Sequence, residues 1–295
     1  MGLATRVAGI DLAGPAMLAS GILGISMDVF RRLLDSGAGA VVSKSLSAEP
    51  REGYPNPTMA EAAGGWLNAV GLSNPGAPNF ANMMRGAPGV PVVVSLVGSD
   101  PDEFVSMARL FEGLEVPAFE LNLSCPHVEK VGLEVGDDPE LVSRIVRSLK
   151  GAGVRVIAKV GLGSSDYLGT VRAAEDAGAD AVTAINTVRA MSIDVHSGRP
   201  VLSNGFGGLS GPPIRPIAVR CVREITSRHE IPVIGCGGVS CWEDAAEFLL
   251  AGASAVQVGT AAGGNPGIFA EINSGISSYM ERRGYSEISE VRRAA

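Results

Sequence analysis

The stretch IPVIGCGGVSCWEDAAEFLLAGASAVQVGT, residues 231–260, decides the fold of this chain. Two apolar runs, 231–235 and 254–258, flank an amphipathic segment at 242–251. Runs that are apolar without strict alternation are typical of parallel strands buried on both faces. The spacing of Ser240 and Glu243 predicts a capping box that starts the amphipathic segment as a helix. The stretch therefore predicts one strand–helix–strand unit.

The same alternation continues along the whole chain without a break in composition. The other predicted strands lie at 17–20, 40–43, 91–96, 118–123, 154–160 and 181–185. The other predicted helices lie at 27–36, 101–112, 138–150, 166–177, 213–227 and 266–283. This repetition predicts an α/β fold, a (β/α)8 TIM barrel that forms a single domain over residues 1–295. An open doubly wound sheet is the alternative, but such sheets usually have fewer strands.

Composition argues against several classes of function. The chain has 24 Lys and Arg against 31 Asp and Glu, a net charge of −7, which disfavours a nucleic-acid surface. No apolar run reaches the roughly 18 residues of a membrane span. Scattered cysteines without a CxxC pair predict no disulfide framework, zinc site or iron–sulfur site, and they favour the reducing cytoplasm. The histidines have no metal-binding spacing, and we expect His196 and His229 at the surface.

Polar residues gather where the predicted strands end, and active sites of barrels lie at that end. Together with the glycines at the last two strand ends, they are Ser20, Lys44, Ser45, Ser95, Asn122, Ser124, Cys125, Lys159, Asn186, Thr187, Gly237, Gly238, Gly259 and Thr260. A buried lysine costs several kcal/mol unless it meets an anion, so Lys44 and Lys159 indicate a ligand site. Two long connections, 46–90 and 188–211, also follow strand ends, and we expect them as loops over this face.

Two short segments at this end indicate particular chemistry. The glycines of 235–238 and the pair Gly259-Thr260 end the last two strands, where barrels often bind phosphate. Cys125 follows another strand on a proline-fixed turn beside His127. A thiol there can act as nucleophile or general base, although a free cysteine is also a common inert core residue.

Several motifs, in this order, resemble class 1 dihydroorotate dehydrogenases over nearly the whole chain. They are 43–45 (SKS), 51–57 (REGYPNP), 68–75 (NAVGLSNP), 122–126 (NLSCP) and 207–212 (GGLSGP). The combination is much rarer than any single motif. The resemblance implies an FMN-dependent oxidation of (S)-dihydroorotate to orotate in pyrimidine biosynthesis.

The resemblance also implies roles for single residues. Cys125 would take a proton from C5 of the substrate while C6 delivers hydride to flavin N5, and Lys159 would stabilise negative charge on the reduced flavin. FMN would contact Ser20, Lys44, Ser45, Asn122, Lys159, Ile185, Gly211, Gly237, Gly238, Gly259 and Thr260. The substrate would contact Lys44, Asn68, Gly71, Leu72, Asn122, His127, Asn186 and Thr187. His127 stands where the family usually has asparagine, and an imidazole can still donate one hydrogen bond.

The segments 186–188 (NTV) and 207–212 are most similar to the NAD-linked branch of the family. The resemblance implies a partner subunit that carries FAD and a 2Fe–2S cluster, in a heterotetramer of two copies each around a homodimer of this chain. Three alternatives stay open. They are another FMN-dependent dihydropyrimidine oxidoreductase, a flavin-free aldolase or isomerase that uses Lys159 as a Schiff-base nucleophile, and a non-catalytic barrel that binds a phosphate ligand.

Overall fold

Strands and helices alternate along the chain. The structure is a computed structural model and describes residues 2–62, 64–123, 135–163, 166–292 and 294. In chain order the strands are β1 (Thr5–Val7), β2 (Ile10–Leu12), β3 (Ala16–Leu18), β4 (Met59–Ala62), β5 (Gly65–Asn68), β6 (Val94–Leu96), β7 (Phe119–Asn122), β8 (Val156–Val160), β9 (Ala181–Ala184), β10 (Val188–Ala190), β11 (Ile193–Asp194), β12 (Arg199–Pro200), β13 (Gly207–Ser210), β14 (Val233–Cys236) and β15 (Ala255–Val258). The helices are α1 (Met27–Asp35), α2 (Ala77–Arg85), α3 (Pro101–Arg109), α4 (Pro139–Gly151), α5 (Tyr167–Asp176), α6 (Arg215–Thr226), α7 (Trp242–Leu250), α8 (Thr260–Gly264), α9 (Ile268–Arg283) and α10 (Ile288–Arg292).

A parallel sheet forms the centre of the fold, with the strand order β3-β15-β14-β9-β8-β7-β6. Residues 40–43 connect its two edge strands. Leu18 N donates to Ala40 O at 2.9 Å, and Val93 N donates to Val41 O at 2.9 Å. Since this short segment bonds to both edges, the sheet closes into a barrel. The predicted (β/α)8 barrel is confirmed, and each predicted strand coincides with a strand or with this closing segment. Its assignment to a single domain over 1–295 stays a prediction.

The interior of the barrel changes from apolar to polar along the strands. Because successive strand residues point to opposite faces, every second residue faces inward. One interior layer is apolar and packs against Val7, Ala8 and Leu12 of the β1–β2 hairpin; it consists of Met17, Ala40, Val42, Val93, Ala118, Ile157, Ala181, Ile234 and Ala255. Two residues further on, toward the C-terminal ends, the buried residues are Ser95, Glu120, Lys159, Thr183, Cys236 and Gln257. The polar layer therefore lies beneath the C-terminal face.

We expected the two long connections to be loops, but both contain regular secondary structure. Strands β4 and β5 come from the first connection and β10 and β13 from the second, and they form one antiparallel sheet in the order β10-β13-β5-β4. We call this four-stranded sheet the roof. Its central pairing joins Asn68 to Gly208, a contact between distant segments for which the local sequence gives no signal. Helix α2 also lies in the first connection, so the expectation of a loop there was wrong.

Two smaller expectations were also wrong. Helix α7 has Cys241 as its N-cap, so the third helical residue is Asp244 rather than Glu243, and Asp244 Oδ2 accepts from Ser240 N and Oγ at 2.9 and 2.7 Å. The side chain of His229 is only 4% exposed, and its Nδ1 lies 2.6 Å from Glu175 Oε2. Burial opposes a low pKa of Glu175, but hydrogen bonds from His229, Ile231 and Glu230 lower it.

The described helices include none that is long and apolar enough to cross a bilayer.

The packing of Gly235 against Phe248 predicts a specific loss of stability. A Cβ on Gly235 would lie 2.4 Å from Phe248 Cδ1, and the Phe248 ring is fully buried. We expect Gly235→Ala to lower the free energy of unfolding by about 1–3 kcal/mol, because a packed core must shift to admit the methyl group. Urea denaturation followed by circular dichroism measures the change.

Gly151→Ala is the matched control, since a Cβ there meets nothing within 4 Å and the residue lies in α4. We expect this variant to be neutral or more stable by up to about 1 kcal/mol. Equal losses of stability in both variants would contradict the assigned contact.

Candidate active site

A cavity of about 1410 Å³ opens between the C-terminal ends of the barrel strands and the roof. It is larger than the roughly 300–1,000 Å³ of an ordinary small-molecule pocket, so it has room for a cofactor and a substrate together. The described site residues predicted from the sequence all line it: Ser20, Lys44, Ser45, Asn68, Gly71, Leu72, Asn122, Lys159, Ile185, Asn186, Thr187, Gly211, Gly237, Gly238, Gly259 and Thr260. Cys125 and His127 lie outside the described residues.

A chain of side-chain hydrogen bonds runs across the floor of this cavity. Ser45 Oγ lies 3.4 Å from Ser20 Oγ and accepts from Asn122 Nδ2 at 3.2 Å. Asn122 Oδ1 in turn accepts from Asn186 Nδ2 at 3.2 Å, and Asn186 Oδ1 accepts from Thr187 N at 2.8 Å. These residues follow different strands, so their mutual bonds fix the strand ends relative to one another. The result is a polar floor with defined amide orientations.

Lys159 lies at the centre of the polar interior layer. Its side chain is 7% exposed, its Nζ donates to Gln257 Oε1 at 2.9 Å, and Glu120 Oε1 lies 3.5 Å from Nζ. Burial alone would lower the pKa of Lys159, but the charge and hydrogen bond of Glu120 raise it above its ordinary value. Lys159 is therefore held as an ammonium ion at one fixed position in the cavity wall.

Lys44 lies in a different electrostatic environment. It is partly buried at the end of the segment that closes the barrel, and burial lowers its pKa. Within the described ranges its ammonium group has neither a hydrogen-bond partner nor an ion-pair partner. A half-buried cation in this state is stabilised when an anion enters the cavity. Lys44 is thus suited to bind a carboxylate or phosphate.

Three loops meet at a corner of the cavity that we call the glycine corner, formed by Gly211, Gly237, Gly238, Gly259 and Thr260. Gly238 has a φ of +78°, and a Cβ there would lie 2.8 Å from Gly211 O. A Cβ on Gly237, whose φ is +130°, would lie 2.9 Å from Ala218 Cβ. Thr260 Oγ1 bonds to Ser210 Oγ at 2.9 Å and so ties the last loop to the roof. Glycine is required for this approach, which leaves backbone at the cavity surface where an anion can contact it.

The segment 68–74 descends from the roof toward the cavity floor. Asn68 Nδ2 donates to Gly208 O at 3.1 Å. Leu72 has a φ of +57°, a left-handed conformation that costs about 1–3 kcal/mol and persists only where its surroundings impose it. Asn74 imposes it here: its buried amide donates to Leu72 O at 2.7 Å and accepts from Gly76 N at 2.8 Å and Ser47 N at 3.2 Å.

Sequence reasoning missed the support beneath Lys159 and the aromatic rim above it. Glu120 and Gln257 were part of predicted strands, yet an acid and an amide within apolar runs carry the same signal that identified the lysines. The rim consists of the exposed side chains of Tyr54, Trp66 and Phe206, with the guanidinium of Arg189 5.7 Å from the Phe206 ring centroid. The rim had no local signal, since it depends on the pairing of the roof strands.

Comparison with known proteins agrees with the geometry. A family model described as dihydroorotate dehydrogenase matches residues 2–280. Dihydroorotate dehydrogenase B (NAD(+)), catalytic subunit, of Pyrococcus furiosus is 47% identical over 99% of this chain and 98% of the relative. Proteins of the same name from Methanosarcina mazei and Thermoplasma acidophilum are 46% and 45% identical, over 96% and 98% of this chain and 92% and 97% of their own lengths.

The role of Asn74 predicts that its amide stabilises the segment 68–74. We expect Asn74→Ala to lower the free energy of unfolding by about 1–3 kcal/mol, because it leaves buried backbone groups without partners. Chemical denaturation measures the change. Asn79→Ala is the control, since Asn79 is exposed and its amide donates to Pro75 O. A control as destabilised as Asn74→Ala would refute a special role for Asn74.

Proposed function

The chain belongs to the dihydroorotate dehydrogenase family, and from this premise we propose that it oxidises (S)-dihydroorotate to orotate with FMN in pyrimidine biosynthesis. The family resemblance and the likeness to the NAD-linked branch are confirmed, and the chain is an oxidoreductase. The observation that carries the proposal is the combination, in one cavity, of the glycine corner, Lys159 with its acidic partner, and Lys44, which has no partner among the described residues.

The residues present fit FMN. The glycine corner can hold the phosphate, because its loops approach too closely to admit side chains. Ser20, Ser45, Asn122 and Ile185 would contact the ring system, and Lys44 lies beside Ser45 in the same wall. When bound, FMN supplies the acceptor for a hydride from the substrate. Lys159 would hold its positive charge beside the flavin, where a fixed cation stabilises developing negative charge.

The substrate contacts follow from the remaining cavity groups. Lys44 would bind the carboxylate of dihydroorotate, which supplies the counter-charge that this lysine lacks. The ring amides and carboxylate would bond to Asn68, Asn122, Asn186 and Thr187 and to the backbone of Gly71 and Leu72. Cys125 would take the proton from C5, and His127 would donate a hydrogen bond to the substrate. These last two assignments rest on the sequence motif.

Three alternatives fit the cavity less well. A Schiff-base enzyme needs a neutral lysine amine, whereas Lys159 bonds to Gln257, faces Glu120 and has a raised pKa. A dehydrogenase for an uncharged dihydropyrimidine would leave Lys44 without an anion. A barrel that only binds a phosphate ligand gives no reason for the charge arrangement at Lys159. Dihydroorotate oxidation uses all of these features.

The relatives are named as catalytic subunits, and we propose that this chain also has a partner. The partner would carry FAD and a 2Fe–2S cluster, in a heterotetramer built on a homodimer of this chain. The described part of the chain has three cysteines and no group of three metal-ligating side chains. A cytoplasmic location stays a prediction from cysteine usage.

Anaerobic addition of (S)-dihydroorotate to the FMN-loaded chain tests the function directly. We expect the visible flavin absorption to bleach. Cys125→Ser should slow bleaching by about 10²–10⁴-fold, because it removes a general base, while FMN stays bound. Cys241→Ser is the control thiol and should bleach at the normal rate. A chain that binds FMN but is not bleached would refute the substrate, and a chain unable to bind FMN would refute the flavoenzyme.

The pH dependence of orotate binding tests Lys44. Because burial lowers its pKa, Lys44 loses its proton at a lower pH than an exposed lysine, and the attraction for a carboxylate is lost as pH rises. We expect orotate affinity, measured by its effect on the flavin spectrum, to fall over that rise. Lys44→Met should bind orotate about tenfold or more weakly without this fall.

Lys150→Met is the control for this experiment, because Lys150 pairs with Asp180 at 2.6 Å and does not line the cavity. Its orotate affinity should follow the pH profile of the unmodified chain. If orotate affinity in Lys44→Met followed the same pH profile as in the unmodified chain, Lys44 would not be the group that binds the carboxylate.

A further inference from the structure

We propose that Glu120 is a positioning residue for the reaction, which keeps Lys159 charged and aims its ammonium group into the cavity with the help of Gln257. The inference deepens the proposed function and rests on it, since it gives Lys159 its task beside the flavin. Neither Glu120 nor Gln257 was among the site residues that the sequence motifs indicated.

The geometry places Glu120 directly beneath Lys159. Its side chain is fully buried on β7, and its Oε2 accepts from Gln257 Nε2 at 2.5 Å and from Thr183 Oγ1 at 3.0 Å. These bonds orient the carboxylate, so that its Oε1 faces Lys159 Nζ at 3.5 Å. Gln257 completes the arrangement, because its amide donates to Glu120 while its oxygen accepts from Lys159. Groups from four strands thus fix one ammonium position.

Stability does not explain a buried acid at this position. Replacing a buried ion pair by apolar groups of similar size is often neutral or stabilising. The other inward residues of the neighbouring layer are apolar and fill the barrel without charge. The carboxylate instead acts on Lys159, because burial shifts a lysine without a counter-charge toward its neutral form.

The other groups that face Lys159 contribute less than Glu120. Cys236 on β14 is the second titratable neighbour, and its charge raises the pKa of Lys159 less than that of Glu120, while burial raises the pKa of the Cys236 thiol and so opposes its ionisation. Gln257 on β15 and Thr183 on β9 carry no charge. In the described residues around Lys159, Glu120 on β7 is thus the counter-ion that raises the pKa of this lysine against the effect of burial.

Thermal unfolding of the FMN-free chain across pH tests the pairing. In the unmodified chain the raised pKa of Lys159 contributes stability that is present below the unfolded pKa and is lost only as pH rises through the folded value. In Glu120→Gln, burial instead lowers the pKa of Lys159 in the folded state. Between this pKa and the higher pKa of Lys159 in the unfolded state, the unfolded state binds more protons than the folded state. The melting temperature of Glu120→Gln should therefore lie below that of the unmodified chain by a difference that becomes smaller as pH rises from about 6 to about 10. We expect the difference to decrease by about 2–4 °C for each unit by which the substitution lowers the pKa of Lys159.

A second readout links the pair to the cofactor. The FMN affinity of Glu120→Gln, relative to the unmodified chain, should fall as pH rises and Lys159 becomes neutral. Adding Lys159→Met should abolish both pH dependences, since no titrating amine remains. Glu120→Asp keeps the carboxylate but moves it away from Lys159 by one methylene group. Its changes in melting temperature and FMN affinity with pH should therefore have the same direction as those of Glu120→Gln and a smaller size. This variant also serves if Glu120→Gln does not fold.

Asp180→Asn is the matched control, because it breaks the partly exposed pair of Asp180 with Lys150, outside the cavity. It should lower stability without changing the pH dependence of FMN affinity. A melting deficit of Glu120→Gln that is constant with pH, or a slope that persists after Lys159→Met, would overturn the inference. The FMN-free measurement involves neither dihydroorotate nor flavin, so this outcome is separate from a failure of the proposed function.

Discussion

The two-residue alternation of the parallel strands governs which strand side chains face the barrel interior and the cavity. Along residues 118–122 the inward positions are Ala118, Glu120 and Asn122, which pass from apolar core through buried charge to the cavity floor. A shift of one residue in any strand would exchange its inward and outward sets. The closing segment at 40–43 enforces the registers by joining both edges of the sheet. Packing at one end of the barrel and chemistry at the other thus follow from the same constraint.

The two cavity lysines show how environment divides the tasks of one residue type. Lys159 faces the carboxylate of Glu120 and donates a hydrogen bond to Gln257, and its pKa is raised, so its charged form is favoured before any ligand binds. Burial lowers the pKa of Lys44, and this lysine lacks a partner among the described residues. A bound anion would therefore stabilise its charged form. The first arrangement suits stabilising charge that develops during a reaction, and the second suits recognising charge already present on a ligand.

The sequence was sufficient to predict the barrel and the residues at its mouth, because both depend on local patterns. Apolar runs identify the strands, and parallel topology brings their ends together whatever the loops do. The roof was not predictable, since its strands are short and pair across the chain. Helix α2 was missed for another reason: its buried positions Ala77, Phe80, Ala81 and Met84 have helical spacing, but the flanking glycines and prolines suggested a loop. Glu120 was not predicted as a site residue because it lies within a strand, whereas the sequence signal used was polar residues at strand ends.

The pairing of the roof also bears on how the chain folds. Asn68 of β5 meets Gly208 of β13, and Ala16 of β3 pairs with Val256 of β15. A loop of this length must close, at a cost in chain entropy, before its contacts contribute any stability. Such strand pairs therefore form slowly during folding. During synthesis, which proceeds at about 5–20 residues per second, the early strands wait many seconds for these partners. The ligand cavity is consequently completed only after residues 207–258 have been made, because these supply the roof strand β13, the last two barrel strands and the glycines between them.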